Sequence, residues 1–452
     1  MAEIQPFRAY RYDTNRVALK DVLTQPYDKI TPAMQDAYYA ASPYNLIAIE
    51  KGRAFPDDTP TQNVYTRAAG KVDEWIASKI LVQDEQPAIY VYSQEFLVPG
   101  TNTRRTRIGF IALARLEDYA AKVIFRHEHT LSGPKADRIE LLRGTRTQTG
   151  QLFFLYDDGQ RQIDTWLEQI ARTCAPNELS DEFGVTHRLW PVSDPAFVTR
   201  IQQAMAERKL VIADGHHRYE TALSYRNECR QRLGKADPMA ASEFAMATFI
   251  NTHSRGLTIL PTHRVVSRLA NFDFDRFRVN LTPIFDWYSY PFANPDERAA
   301  AYAEFRRDLE PPSHGRRAIG VYAGTADSGR AFYLFILRRE ADLESLLPNI
   351  SEAQRELDVV VLHRLILEKG LGISPEAVAG EKNLAYEREM DAAIEAVDRG
   401  GAQIAFLLNP VRVEQVTEIA LGGDVMPQKS TDFYPKLLSG MAIYKVEGRV
   451  GG

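Results

Sequence analysis

One sequence feature constrains the fold of this chain most. It is a short apolar segment followed by an Asp-Gly turn and the basic start of a helix. Lys209–Ala213 (KLVIA) is predicted to form a short buried strand. Asp214 and Gly215 follow where the chain must turn sharply, and glycine tolerates the backbone angles that such a turn requires. A helical pattern then runs over Tyr219–Arg230, with apolar positions on one face. The sequence therefore predicts a strand–turn–helix element, which is typical of an α/β protein.

The side chains at this predicted helix start favour an anion. The first amide N–H groups of a helix lack partners, and the helix dipole adds positive charge there. Arg218 matches phosphate oxygens in a bidentate manner, while His216 or His217 would donate a hydrogen bond or act as an acid–base group. Asp214 would position Mg²⁺ or accept a hydroxyl proton. The non-functional interpretation is a solvated basic helix start, but the combination with Gly215 predicts a phosphate site.

Composition and charge narrow the class of protein. A chain of 452 residues is expected to hold two or three domains. Its hydrophobic content of 44% and charged content of 25% are ordinary for a globular protein. The net charge of -5 argues against a general nucleic-acid-binding surface. With two cysteines, no disulfide framework or multi-cysteine zinc site is expected.

The sequence also bears on location. The first residues are polar and lack the apolar region of a signal peptide. No run of about 18 apolar residues occurs. We therefore expect a cytoplasmic protein with no membrane partner.

The element pattern predicts a mixed α/β fold in three segments. Residues 1–180 mix helices and strands, and include a hairpin formed by Ala88–Phe96 and Arg107–Leu116. Residues 181–270 alternate strand, helix, strand and helix, and ligands of open α/β sheets bind where strands end. Residues 271–452 are expected to form a C-terminal α/β domain that closes over the site.

A polar stretch from His127 to Arg138 is the second candidate site. It contains a Gly-Pro pair and is predicted to be a loop, where catalytic groups often lie. Glu128 would take the proton from an attacking hydroxyl, or protonate a leaving group. His127 and His129 would share a face of an extended segment, so a zinc site remains an alternative. The non-functional interpretation is a surface loop with a local cluster of salt bridges.

The remaining candidates are scattered along the chain. Phosphate contacts are predicted for Arg138, Arg264 and Lys429, because guanidinium and ammonium groups suit phosphate oxygens. Substrate contacts are predicted for six residues: Tyr27, Asp28, Asn45, His127, Thr130 and His263. Packing at aromatic–proline turns and solvation of a loop lysine are the structural alternatives.

Two further segments carry structural expectations alone. Arg104, Arg105 and Arg107 form a charge run near the hairpin and are expected to be a solvated face. Leu46–Glu50 is predicted to be a strand.

Several of these motifs together resemble a known family. The motifs are Gln25–Asp28, Ser42–Ile47, His127-Glu128 with Thr130 and Asp137-Arg138, Ile212–Leu223, Pro261–Arg264, Met426–Thr431 and Phe433–Lys436. They resemble the signature of an uncharacterised bacterial and archaeal family, domain of unknown function 1015, nearly from end to end. That family carries no established activity that could be transferred to this chain.

The middle segment also resembles the ParB/sulfiredoxin superfamily. There a short basic motif with a glycine binds nucleotide phosphates at a helix start: Gly-Glu-Arg-Arg in ParB proteins, Gly-Cys-His-Arg in sulfiredoxin and Asp-Gly-His-Thr-Arg in the archaeal free-serine kinase. Asp214–Arg218 (DGHHR) is most similar to the kinase motif, with histidine in place of threonine. The resemblance implies a nucleotide ligand and, by association, serine or phosphoserine as substrate.

Three functional hypotheses follow. The first is a nucleotide-dependent phosphotransferase that acts on a small hydroxylated metabolite, with ATP or ADP as donor and Mg²⁺ beside Asp214; a phosphomonoesterase is its hydrolytic variant. The second is a nucleotide-binding regulatory protein that resembles ParB and has no catalytic activity. The third is a metal-dependent hydrolase built on four histidines: His127, His129, His216 and His217.

Overall fold

The computed structural model describes residues 2–128, 133–234, 237–310, 316–323 and 330–451. It is mixed α/β, as the sequence predicts, and its residues group into two compact units. Unit 1 consists of Met1–Arg126, Thr130–Thr258 and Phe433–Gly452, and unit 2 of His127–His129 and Ile259–Asp432. The three-segment division expected from the sequence stays a prediction.

Strands are present in both units. In chain order they are β1 (Ile4–Gln5), β2 (Tyr10–Tyr12), β3 (Leu81–Gln83), β4 (Ile89–Leu97), β5 (Arg104–Arg115), β6 (Ile124–Phe125), β7 (Thr147–Gln148), β8 (Leu152–Tyr156), β9 (Asn177–Ser180), β10 (Thr186–Val192), β11 (Leu210–Asp214), β12 (Phe244–Asn251), β13 (Thr258–Leu260), β14 (His263–Val266), β15 (Phe285–Pro291), β16 (Ala318–Ala323), β17 (Ala331–Leu337), β18 (Leu384–Glu387), β19 (Ile404–Leu407), β20 (Asp432–Tyr434) and β21 (Tyr444–Lys445).

Helices of four to eighteen residues connect the strands. They are α1 (Leu19–Val22), α2 (Pro32–Ala41), α3 (Ile47–Glu50), α4 (Val64–Ala77), α5 (Gly133–Thr145), α6 (Gln162–Thr173), α7 (Pro195–Met205), α8 (His216–Leu233), α9 (Phe274–Leu281), α10 (Pro295–Leu309), α11 (Leu343–Leu346), α12 (Glu352–Arg355), α13 (Asp358–Val361), α14 (Pro375–Ala379), α15 (Met390–Asp398) and α16 (Val413–Gly422). Short 3₁₀ turns cover Tyr27–Lys29, Tyr119–Ala121 and Ala241–Glu243, and a π-helical stretch covers Leu362–Gly370. Along the described part of the chain, no helix combines the length and the apolar character needed to cross a membrane.

A nine-stranded mixed sheet organises unit 1. Eight strands follow the order β6-β11-β8-β12-β5-β4-β10-β9, and β1 pairs with β5. Strand β11 runs parallel to β6 and antiparallel to β8. One face packs on a core that includes Phe110, Phe154 and Phe249, with the rings of Phe110 and Phe249 stacked 4.9 Å apart. The apolar faces of α6, α7 and α8 complete this core, which holds β11 and the start of α8 in place.

Most predicted elements of unit 1 are present. The predicted hairpin is confirmed by the antiparallel pairing of β4 with β5. The alternation β10-α7-β11-α8 is also present, but β10 and β11 are separated in the sheet by β8, β12, β5 and β4. Strands β9 and β10, on either side of the predicted boundary at residue 181, pair with each other.

Two local predictions are wrong. Leu46–Glu50 is not a strand, because the Asn45 side-chain oxygen accepts from the Ile47 N–H at 2.9 Å and a short helix begins there. The stretch up to Arg138 is not a loop throughout, since α5 begins at Gly133 and carries Arg138.

Unit 2 contains a six-stranded sheet in the order β15-β17-β16-β19-β14-β18, with antiparallel pairing throughout. Helices α10 and α15 pack on this sheet through Phe305, Leu309 and Ile394. Strand β14 carries His263 and Arg264 into this buried layer.

Candidate functional site

The predicted strand–turn–helix element is present, and its turn depends on Gly215. This residue has φ +93°, the left-handed region, and α8 begins directly after it. A Cβ atom placed on Gly215 would lie 3.2 Å from Cζ, Nε and Nη2 of Arg218. The guanidinium therefore lies directly against the glycine, and both the backbone angle and this contact require a residue without a side chain.

Arg218 and Asp214 lie together at this turn. Nη1 of Arg218 donates to the carbonyl of Gln151, and Nη2 is 3.5 Å from Oδ1 of Asp214. Oδ2 of Asp214 accepts from Nζ of Lys436 at 2.9 Å. Burial acts to raise the pKa of Asp214, but Lys436, Arg218 and Lys29 outweigh it and hold the pKa well below its usual range. Asp214 is therefore ionised and lies among cations.

A metal ion does not fit Asp214 as it stands. Its carboxylate already pairs with Lys436 and Arg218. Among the residues that the structure describes, no group of three or more His, Cys, Asp or Glu side chains could hold a metal ion. Mg²⁺ would have to arrive bound to the phosphates of a ligand, as Mg²⁺ commonly does.

The two histidines after Gly215 differ in exposure. His216 is buried and His217 is half-buried. Burial lowers the pKa of His217, and Lys135 and Arg218 add to this against the opposing fields of Glu220 and Asp28. The lowered pKa favours the neutral form of His217 at pH 7, and its hydrogen-bonding or acid–base role stays a prediction.

Glu50 is a buried acidic residue beside Arg218, and no sequence motif pointed to it. It is 3% exposed. Its Oε2 accepts from the hydroxyl of Thr149, while Oε1 lies 3.9 Å from Nη1 of Arg138. Arg138 also donates to the Glu50 carbonyl at 2.9 Å and lies 4.2 Å above the Tyr27 ring. The predicted phosphate contact Arg138 thus lies near Tyr27, a predicted substrate contact.

Gly150 lies where these groups converge. A Cβ atom there would lie 3.1 Å from Oγ of Ser439, 3.2 Å from Nη1 of Arg218 and 3.8 Å from Oε1 of Glu50. Burial raises the pKa of Tyr27 to about 12, while fields from Arg218, Asp28, Arg138 and Glu50 also act on it. We name this cluster the Arg218 corner, defined by Glu50, Arg138, Asp214, Gly215, Arg218 and Lys436.

Comparison with known sequences then decides the family. The sequence model described as a protein of unknown function (DUF1015) matches residues 4–360. The chain belongs to the DUF1015 family. No curated protein sequence matches it significantly.

Solved structures resemble this DUF1015 protein weakly. A conserved hypothetical protein from Pyrococcus furiosus has 14% identity and a TM-score of 0.33, over 72% of this chain and 90% of that one. A free serine kinase variant in complex with ADP has 14% identity and a TM-score of 0.35, over 72% and 87%. SbnI with a C-terminal truncation, from Staphylococcus aureus, has 10% identity and a TM-score of 0.33, over 73% and 85%. TM-scores this low carry no conclusion about the ligand of the DUF1015 protein.

Unit 2 of the DUF1015 protein holds the other candidates. Oε1 of Glu128 accepts from the backbone N–H of Lys429, whose Nζ pairs with Glu381. Nε2 of His127 lies 3.0 Å from Oγ1 of Thr431. Glu128 and Lys429 were predicted as separate site residues far apart in sequence, and in the structure they are in contact.

His263 and Arg264 are held in structural contacts. His263 is 1% exposed, and its Nδ1 accepts from the Leu408 N–H at 3.1 Å. Arg264 is fully buried and donates to the carbonyls of Gln428 and Lys429 at 3.3 and 3.1 Å. These contacts position the Lys429 loop, and the predicted ligand contacts of both residues stay predictions.

Three further predicted residues are not part of either group. Asn45 is buried, and its Nδ2 donates to the Asp21 carbonyl at 2.8 Å, a structural contact. Thr130 and His129 lie outside the described residues.

One expectation about arginines is wrong. Arg107 is 1% exposed rather than solvated, because its guanidinium donates to Gln94 and to the carbonyls of Tyr434 and Pro435. Burial lowers the pKa of Arg107 to about 10, opposed by Tyr92 and Asp214. Strand alternation gives no signal for this, since Arg105 and Arg107 are two positions apart in β5 and only Arg107 is buried, by contacts with residues distant in sequence.

Proposed function

We propose that this DUF1015 protein is a phosphotransferase that moves the terminal phosphoryl group of a nucleotide to a hydroxyl of a small metabolite. The observation that carries the proposal is the position of the Arg218 guanidinium against Gly215, at the start of an eighteen-residue helix. The nucleotide and the choice of serine as acceptor come from the resemblance of Asp214–Arg218 to the kinase motif. The comparisons with solved structures do not add to it.

Anion binding follows from the partners of Arg218. Its Nη1 bonds to a neutral carbonyl, that of Gln151, and its Nη2 is 3.5 Å from Asp214. A phosphate would offer stronger, charge-assisted hydrogen bonds to the same fork. Lys436 and Arg138 lie near enough to balance the charge of further phosphate oxygens, which is how catalysis of phosphoryl transfer chiefly works.

Glu50 is the general base that accepts the proton of the acceptor hydroxyl. The acceptor oxygen attacks the terminal phosphorus, and the bond between that phosphorus and the bridging oxygen breaks, leaving its electron pair on the shortened nucleotide. The hydroxyl proton passes to Oε1 of Glu50, the buried carboxylate oxygen beside Arg218. General-base help of this kind contributes about 10²–10⁴-fold. Glu128, in unit 2, stays a prediction as an alternative base, and water in place of the hydroxyl would give the phosphomonoesterase variant.

Phosphorus NMR tests the proposal directly. The full-length protein is incubated with Mg²⁺ and ATP or ADP, with and without L-serine, and phosphoserine and the shortened nucleotide are followed with time. We expect both products together, at a rate that Glu50→Gln lowers about 100-fold or more without loss of the folded state. Glu207→Gln, the same change at an exposed glutamate between α7 and β11, is the matched control and should leave the rate unchanged. Absence of transfer to any hydroxylated acceptor would contradict the proposal.

A further inference from the structure

A cavity of about 60 Å³ lies beside Arg218 within unit 1. One part of its wall is polar and includes Glu50, Thr149, Arg218 and Thr221. The rest is largely apolar and is formed by five side chains: Leu141, Leu142, Leu152, Ala222 and Ala245. A cavity lined by polar residues on one side and apolar residues on the other suits a ligand group that has a hydroxyl on one side and carbon on the other.

Two buried residues of this wall carry an oxygen atom with hydrogen-bonding capacity left. Thr221 is 5% exposed, and within the described part of the chain no group donates to or accepts from its Oγ1. Oε1 of Glu50 has Nη1 of Arg138 at 3.9 Å, too far for a hydrogen bond, and no described group donates to it. Buried polar atoms are normally satisfied, so Oγ1 of Thr221, with Oε1 of Glu50 on the same cavity, indicates a place for a polar partner.

We propose that this cavity is the acceptor subsite, which takes the hydroxyl-bearing end of a small aliphatic compound. The assignment rests on the proposed phosphotransferase function. The acceptor hydroxyl would donate to Oε1 of Glu50 and accept from Oγ1 of Thr221, while its carbon contacts the leucine wall. The oxygen is then held beside Arg218, where the phosphoryl group is expected.

The volume sets the size of that compound. An apolar protein cavity that binds benzene has a volume of about 150 Å³, so this smaller cavity has room for a group of only a few non-hydrogen atoms. A hydroxymethyl or hydroxyethyl group fits this space, and a phenol does not. If water alone filled the cavity, it would lie against the apolar side chains of Leu141, Leu142 and Leu152. An aliphatic carbon of a ligand would make apolar contacts with them instead.

Thr221→Val is the sharpest test, because valine has the same shape and lacks the hydroxyl. The variant should be as stable as the parent protein, since the hydroxyl it removes has no described partner. We expect the KM for L-serine to rise about tenfold, the usual effect of one lost hydrogen bond, with the KM for the nucleotide unchanged. Thr221→Ser, which keeps the hydroxyl, should restore the KM for L-serine.

Leu142→Ala tests the size limit. The substitution enlarges the cavity on its apolar side, so the ratio of kcat/KM for L-homoserine to that for L-serine should rise about tenfold. With the parent protein, L-tyrosine should be inactive. An unchanged KM for L-serine in Thr221→Val, with transfer still occurring, would overturn the subsite and leave the phosphotransferase proposal standing. Binding of L-serine by saturation-transfer NMR is measured in parallel, and parent protein that binds none of the three amino acids would overturn the subsite by itself. Absence of phosphoryl transfer by the parent protein would instead contradict the proposed phosphotransferase function.

Discussion

His263 and Arg264 show how burial changes the meaning of a motif at the scale of single residues. Basic residues after an apolar strand predict a phosphate site. In the structure, burial lowers the pKa of His263 to about 4, and Arg264 contributes to that shift. A histidine held neutral in this way is an acceptor for the Leu408 N–H rather than a cation for a ligand.

This burial predicts a pH dependence of stability. In the unfolded state His263 has the ordinary pKa of 6.5 and is protonated below that pH, whereas in the folded state it is protonated only below about pH 4. Stability therefore falls as the pH drops through this window, by about 2 kcal/mol between pH 7 and pH 5. His263→Asn keeps an acceptor for Leu408 but cannot titrate, so its urea unfolding curves should lack this component. Equal slopes of unfolding free energy against pH in the two proteins would contradict the assignment.

Residues that are local in sequence were predictable, and distant partners were not. Asp214, Gly215 and Arg218 stand within five positions, and their chemistry follows from the turn they share. Lys436 pairs with Asp214 across 222 positions, and no local pattern carries that contact. Glu50 was missed for the same reason, because a single carboxylate in an apolar segment shows its importance only when an arginine packs beside it.

At the scale of elements, the turn between β11 and α8 positions Asp214 and Arg218 in the candidate site. Gly215→Ala places a side chain in the left-handed region and against the Arg218 guanidinium. The strain alone should cost about 1–2 kcal/mol of unfolding free energy, measured by urea denaturation. Displacement of Arg218 should also weaken the binding of ATP.

Gly234→Ala separates these two effects. Gly234 ends α8 with φ +65°, and among the described residues no atom lies within 4 Å of a Cβ placed there. It should lose a similar amount of stability and keep the affinity for ATP. Equal affinities in the two variants would show that the Gly215–Arg218 contact does not position the ligand.

Individual elements were more predictable than their arrangement. The hydrophobic pattern located β11 and α8 and the β4–β5 hairpin, since periodicity is a local property. The start of α3 was missed because it depends on one local hydrogen bond, from the Ile47 N–H to the side-chain oxygen of Asn45. The separation of β10 from β11 was also unforeseen, because strand order depends on pairings between distant segments.

At the scale of the whole molecule, the site of unit 1 is assembled from four distant parts of the chain. Glu50, Arg138 and Arg218 come from three helices, and the C-terminal residues add Lys436 and Ser439. The same C-terminal segment supplies carbonyls to buried Arg107 and pairs β21 with β7. The end of the chain thus both stabilises unit 1 and completes its charge balance.

Ligand-induced stabilisation measures anion binding at the Arg218 corner most directly. Thermal unfolding of the full-length protein is followed with ATP, ADP or inorganic phosphate, each with and without Mg²⁺. A ligand at a hundred times its Kd should add about 2.7 kcal/mol to the parent protein. Arg218→Ala should fold and lose this stabilisation, and Arg218→Lys, which keeps the charge without the fork, should lose part of it. An equal shift in the parent protein and in Arg218→Ala would contradict the account.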